Sequence, residues 1–173
     1  AWCILDAAPT SRVWAGLNPG VDRERFQASL AAGTVADCLH SFTPRAGDFV
    51  FLPAGTVHAV GGGVLFAEIQ QTSDATFRLF DWSRVGSDGS PRALHVEPAL
   101  ASIRWGQGPV EPTRIDGPRS RVASCGYFEV DRLRETGEFE LGGQGRLQAW
   151  IVLTGQGRFA NGEYYLPGDA WVL

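Results

Sequence analysis

Apolar positions along this 173-residue chain recur in short runs and alternations broken by glycine- and proline-containing turns. Trp2, Ile4 and Leu5, then Val13, Trp14 and Leu17, mark two β-type runs on either side of Pro9-Thr10. After Val21 the spacing changes. Asp22 is placed to cap a helix, Val21 and Phe26 stand at the two ends of a hydrophobic staple, and Phe26 and Leu30 lie one turn apart. Gly33 stops that helix, and Thr34-Val35-Ala36-Asp37 has the spacing of a second start leading into Cys38-Leu39. The pattern therefore predicts a helical hairpin over 22–40 inside an otherwise strand-rich chain. Strands are expected at 48–52, 57–60, 64–71 and 76–82, with a loop over 83–92 and a short helix from His95 to Ile103. Residues 106–120, with three prolines and three glycines, read as a linker. A second strand-rich stretch follows from Arg121 to Leu173.

The two strand-rich stretches resemble each other. Ala1-Trp2-Cys3-Ile4-Leu5 matches Ala149-Trp150-Ile151-Val152-Leu153, and Gly47-Asp48-Phe49-Val50-Phe51-Leu52 matches Gly168-Asp169-Ala170-Trp171-Val172-Leu173. The two pairs differ in offset by about the length of the helical hairpin and its flanks. One β unit is therefore expected twice, and only the first copy carries the insertion.

Composition narrows the function classes. With 44% hydrophobic and 11% aromatic residues the chain can build a core, and 22 glycines with 10 prolines favour many turns over long helices. All 15 cations are arginine and the net charge is −4, which argues against nucleic acid or an anionic membrane as partner. The uncharged run from Phe49 to Ala67 contains Pro53, Gly55 and Gly61-Gly62-Gly63, so it reads as strands and turns rather than a membrane span. Cys3, Cys38 and Cys125 are odd in number and widely spaced, as in reduced thiols of a cytoplasmic protein.

The chemistry concentrates around Gly47-x5-Pro53-x-Gly55-x2-His58, where a strand ends at proline, glycine turns the chain and a histidine re-enters. A lone histidine is commonly structural, whereas a neutral imidazole in this frame is a candidate ligand for a divalent ion. The spacing is similar to the second conserved motif of cupins, small antiparallel jelly-roll barrels. The following residues are more specific: Ala54-Gly55-Thr56-Val57-His58-Ala59, then Ala67-Glu68-Ile69-Gln70-Gln71, Ser73-Asp74, Thr76-Phe77-Arg78 and Asp81-Trp82, then Arg92-Ala93-Leu94-His95-Val96-Glu97 with Ala99-Leu100. This block resembles type I mannose-6-phosphate isomerases, in particular their short bacterial form. The resemblance covers most of residues 1–105 and is weaker, mostly architectural, over 121–173.

That resemblance implies an all-β fold of two cupin (double-stranded β-helix, jelly-roll) barrels. Residues 1–105 would form a catalytic barrel, and 121–173 a second, metal-free one with no histidine and with Gln148 preceding Ala149. Both barrels are expected to be incomplete in this segment, the first at its start and the second at its end. It implies interconversion of mannose 6-phosphate and fructose 6-phosphate through an enediol, with one zinc ion per subunit and a hexose 6-phosphate as partner. His58 matches a metal-binding histidine, Arg78 the arginine regarded as catalytic, and Glu68 an acidic pocket residue suited to moving a proton. The remaining ligands of the family are expected upstream of Ala1, so the isolated segment is expected to be inactive. From the residues alone, Glu68 and Arg78 read as a cross-strand pair, His95 as a cap or packing residue, His40 as helix-end surface, and Trp2 as packing. A non-catalytic cupin that binds a sugar or sugar phosphate is the competing reading.

Overall fold

A computed structural model describes residues 1–115, 117–142 and 145–173. The strands of the first part are β1 (Trp2–Ala7) and β2 (Val13–Leu17), followed by helix α1 (Arg23–Ala31), a 3-10 turn (Val35–Cys38), β3 (Leu39–Phe42), β4 (Asp48–Val50), β5 (His58–Val60) and β6 (Val64–Glu68). Helix α2 (Val96–Ser102) and the short β7 (Thr113–Arg114) come next. The rest comprises β8 (Arg119–Ser124), β9 (Glu129–Leu133), β10 (Ala149–Ile151), β11 (Gly157–Arg158), β12 (Tyr164–Tyr165) and β13 (Ala170–Val172). The fold is thus mostly β with few helices, and no helix of the described residues is long and apolar enough to cross a membrane. The chain divides into two compact units, Ala1–Asp116 with Ser120–Asp131, and Gly117–Arg119 with Arg132–Leu173.

In the first unit a four-stranded antiparallel sheet in the order β6-β1-β4-β7 and a three-stranded sheet β3-β2-β5 share one core. Trp2 and Val50 from the first sheet and Val13 and Ala15 from the second are all buried in one cluster, flanked by Phe42, Val60 and Phe66. Val13 and Ala15 are alternate residues of β2 and so lie on one face, packed against Trp2 and Val50 of the other sheet. A second cluster joins α1, the 3-10 turn and α2 through Phe26, Val35, Cys38, Leu39 and Leu100.

The insertion forms where its sequence signals put it. Asp22 Oδ1 accepts from the Arg25 amide at 2.9 Å, and Val21 and Phe26 are buried together beneath the first turn. At the other end Gly33 is left-handed (φ +73°), the Thr34 amide reaches Ser29 O at 2.8 Å and the Gly33 amide reaches Leu30 O at 3.1 Å. Those two bonds form a Schellman stop, for which glycine is the natural residue. The second half of the expected hairpin is shorter than a helix. After one 3-10 turn the chain becomes β3, because Leu39 and Phe42 pair with β2 instead of continuing a helical face.

Two further expectations change. Residues 76–82 are not a strand. Leu79 and Phe80 both pack on the helical cluster, which consecutive residues of a strand cannot do, and Trp82 and Ser83 have φ of +49° and +55°. Residues 107–114, read as linker, are built into the sheets. Val110 N donates to Ala15 O at 3.1 Å, Gln107 Nε2 to Thr56 Oγ1 at 2.7 Å, and β7 lies against β4. Gly16 (φ +77°) permits this approach, since a Cβ there would stand 2.3 Å from Gly108 O. Asp116, also in that stretch, lies outside the described residues.

The repeated sequence has one structural form. In the first unit Trp2 faces Val50 and Cys3 faces Phe49; in the second Trp150 faces Trp171 and Ile151 faces Ala170. The turns entering β4 and β13 agree bond for bond. Asp48 accepts from Arg45 N at 2.8 Å, as Asp169 does from Leu166 N at 2.8 Å. Gly47 N reaches Ile4 O and Gly168 N reaches Val152 O, each at 2.8 Å, with both glycines left-handed at φ +89° and +96°.

Candidate active site

A cleft of about 780 Å³ opens in the first unit, lined among others by Trp2, His58, Glu68, Gln70, Arg78 and Phe80. His58 reaches it through a turn fixed by its neighbours. The Thr56 amide and hydroxyl both bond Pro53 O, at 3.1 and 2.7 Å, and Gly55 takes φ +84°. A side chain at Gly55 would meet Ser102 O at 2.7 Å, so both backbone sign and space demand glycine there. The chain then enters β5 with His58 opposite Ala15 of β2.

The His58 ring is oriented by the same turn. Its Nδ1 lies 2.8 Å from Thr56 O, and a carbonyl can only accept. In the neutral ring Nδ1 therefore carries the hydrogen, leaving Nε2 as a lone pair, the arrangement in which a backbone carbonyl prepares a histidine for a metal. Trp2 meets this ring edge-on at 5.4 Å between centroids. The same indole donates from Nε1 to Glu68 Oε1 at 3.0 Å, because β1 and β6 pair Trp2 directly with Glu68. Trp2 is 4% exposed, whereas His58 and Glu68 are exposed, so a buried ring braces two accessible groups.

Arg78 lies on the irregular segment that closes another side of the cleft. Its Nη1 donates to Ala93 O at 3.2 Å, so Glu68 and Arg78 line one cleft from different elements instead of forming a cross-strand pair. Nearby, Asp81 and Arg92 form a two-point ion pair, with Arg92 Nε 2.6 Å from Asp81 Oδ2. Bonding to Arg92 holds the Asp81 carboxyl below its ordinary value against the opposing effect of burial, and the charges of Arg92, Arg78 and Arg84 add to this.

The structure thus brings His58, Glu68 and Arg78 to one cleft, and adds Trp2, which had read as packing alone. The signal for Trp2 was its strand partner, and strand partners are not written in alternation. His40 lies on β3, with Nε2 2.9 Å from Glu111 Oε1. Arg114 and Arg121 are both ion-paired. Arg114 Nε pairs with buried Asp48 at 3.1 Å, and Arg121 pairs with Asp131 and Glu129, each at 2.7 Å. As for an ion, His58 Nε2 is a ligand atom in suitable form. Among the described residues no three His, Cys, Asp or Glu side chains are grouped to hold a metal, so these residues by themselves do not fit a zinc site.

No family profile matches the chain. Curated proteins do. Mannose-6-phosphate isomerase ManA of Bacillus subtilis (strain 168) is 32% identical over 99% of this chain and 57% of its own length. Mannose-6-phosphate isomerase of Streptococcus mutans is 31% identical over 99% of the chain and 56% of its own length. Among solved structures, the mannose 6-phosphate isomerase from Bacillus subtilis superposes with a TM-score of 0.83 at 26% identity, covering 99% of this chain and 57% of that one. The chain therefore spans little more than half the length of these relatives.

Proposed function

We propose that this chain is part of a type I mannose-6-phosphate isomerase and that the complete protein interconverts mannose 6-phosphate and fructose 6-phosphate; in support, it is 31–32% identical along 99% of its length to two curated mannose-6-phosphate isomerases. The observation that carries this reading is the convergence of a carboxylate, a histidine with a free Nε2 and an arginine on one cleft, two of them braced by Trp2. The reaction moves a proton between C1 and C2 of the open-chain sugar through an enediol. Glu68 takes that proton from one carbon and returns it to the other, its second oxygen free of the bond to Trp2. Arg78, permanently charged, stabilises the negative charge that develops on the enediolate oxygens. The aromatic walls from Trp2 and Phe80 limit access of water to the intermediate.

Zinc belongs to the same proposal, held in part by His58 Nε2. No step is assigned to the ion, since the described residues supply one ligand. We also read the two units as two barrels of cupin type, the second without a metal. Support comes from the identical strand register and turn in each. Three cysteines outside any disulfide, Cys3, Cys38 and Cys125, and a phosphorylated hexose as substrate fit a cytoplasmic setting.

The test is a coupled assay of the complete protein with each hexose 6-phosphate. Turnover in both directions, lost on chelation and recovered with added zinc, is the expected result. Turnover insensitive to chelation would remove the metal role, and binding of the sugar phosphate without turnover would replace the isomerase with a binding protein. Arg78→Ala is expected to lower kcat by about 10²–10³ with the fold intact, and Arg78→Lys to recover little of it.

A further inference from the structure

Arg78 has no strand partner, yet three hydrogen bonds hold it to one short segment. The His95 amide donates to Arg78 O at 2.7 Å, the Arg78 amide donates to His95 Nδ1 at 3.3 Å, and Arg78 Nη1 donates to Ala93 O at 3.2 Å. The bond to the ring is the one in which a side chain does the work of a neighbouring strand. Nδ1 accepts only when it carries no hydrogen, so the neutral ring keeps its proton on Nε2.

His95 is itself well placed to act as an anchor. It is the residue before α2, its carbonyl accepts from the Ala99 amide at 3.0 Å, and α2 is seated by buried Ala99 and Leu100. The ring makes no capping bond to its own helix, which leaves Nδ1 for Arg78, and Phe77 meets it edge-on at 6.3 Å. A seated helix, an imidazole and the backbone of Arg78 thus form one mechanical series ending at the cleft.

We propose that His95 is a positioning residue for the isomerisation, fixing the Arg78 backbone so that its guanidinium faces the cleft. The proposal rests on the reading of Arg78 as the group that stabilises the enediolate. Without the Nδ1 acceptor the Arg78 amide has no other partner among the described residues, and the segment that carries it is held only by the bonds of Arg78 O and Nη1 and gains freedom. Loss of positioning lowers the rate of the bound complex more than it weakens binding.

The experiment measures kcat and KM of the complete protein for mannose 6-phosphate in His95→Asn, His95→Gln, His95→Ala and Arg78→Ala variants, with thermal melts of each. Asparagine places Oδ1 near the position of Nδ1, whereas the glutamine amide reaches only toward Nε2. His95→Ala and His95→Gln are expected to lose about tenfold in kcat, equivalent to one net hydrogen bond, with KM changed less than about twofold. His95→Asn is expected to restore most of that loss. If His95→Ala does not fold, the asparagine and glutamine variants, similar in polarity, still decide the matter. Equal kcat in those two, or wild-type kcat in both glutamine and alanine variants, overturns the positioning role. Full kcat in Arg78→Ala would instead overturn the reading of Arg78 on which it stands.

Discussion

Trp2 combines two duties in one side chain. Its ring fills the core between the sheets, and its single N–H binds a carboxylate exposed in the cleft. Trp2→Phe separates them, keeping most of the buried ring while deleting the donor. We expect kcat/KM to fall about tenfold, as for loss of a hydrogen bond to a charged group, with a stability loss of about 1–2 kcal/mol from the smaller ring. A variant that loses stability but keeps full activity would show that the bond to Glu68 is dispensable. The apolar placement of Trp2 was legible in the sequence from the β-type run it begins, whose first three residues are all buried. Its bond was not, because alternation assigns a face to a residue without naming the strand alongside.

At the scale of elements, the irregular segment between β6 and α2 depends on side chains for what a strand obtains from its ladder. The Asp81–Arg92 pair is its largest electrostatic tie, with the two side chains 11% and 35% exposed. Since the pair lowers the Asp81 pKa in the folded state, its stabilisation is fully present above the ordinary carboxylate value of about 3.9 and is lost as pH falls through the lower folded value. Limited proteolysis across residues 76–92 should therefore be slow at neutral pH and quicken below about pH 4, and Asp81→Asn should be cut faster already at pH 7. The turn before His58 has the opposite character, being fixed by backbone geometry. Gly55→Ala should cost about 2 kcal/mol or more, from a left-handed φ and a clash with Ser102 O, measured as a drop in melting temperature. The Pro-Gly frame of that turn could be read directly, as could the caps of α1. Residues 76–82 misled because Thr76, Phe77, Phe80 and Trp82 are good strand formers. Their conformation is set by the helical cluster that Leu79 and Phe80 enter, a tertiary cause with no local sign.

For the molecule as a whole, burial is unevenly shared. Every fully buried apolar side chain among the described residues belongs to the first unit, while in the second the aromatic group Phe159, Tyr165 and Trp171 packs without a fully buried member. Hydrogen exchange on this chain should therefore protect the amides of β1 and β4 more strongly than those of β10 and β13, although the two pairs have the same register. Comparable protection would show that the second unit is stabilised by more than its apolar packing. The sequence match between the two stretches foretold that common register. It did not foretell the difference in burial, which depends on which other elements pack on each copy. The equivalence has a consequence for how the chain folds. Strands β1 and β10 meet β4 and β13 in the same register, and each returning strand is introduced by the same glycine–aspartate turn. During folding, each copy therefore presents the other's partner with a competing register. The Asp48–Arg114 pair brings β7 onto β4, a mark that distinguishes the first copy's returning strand and penalises the exchanged product.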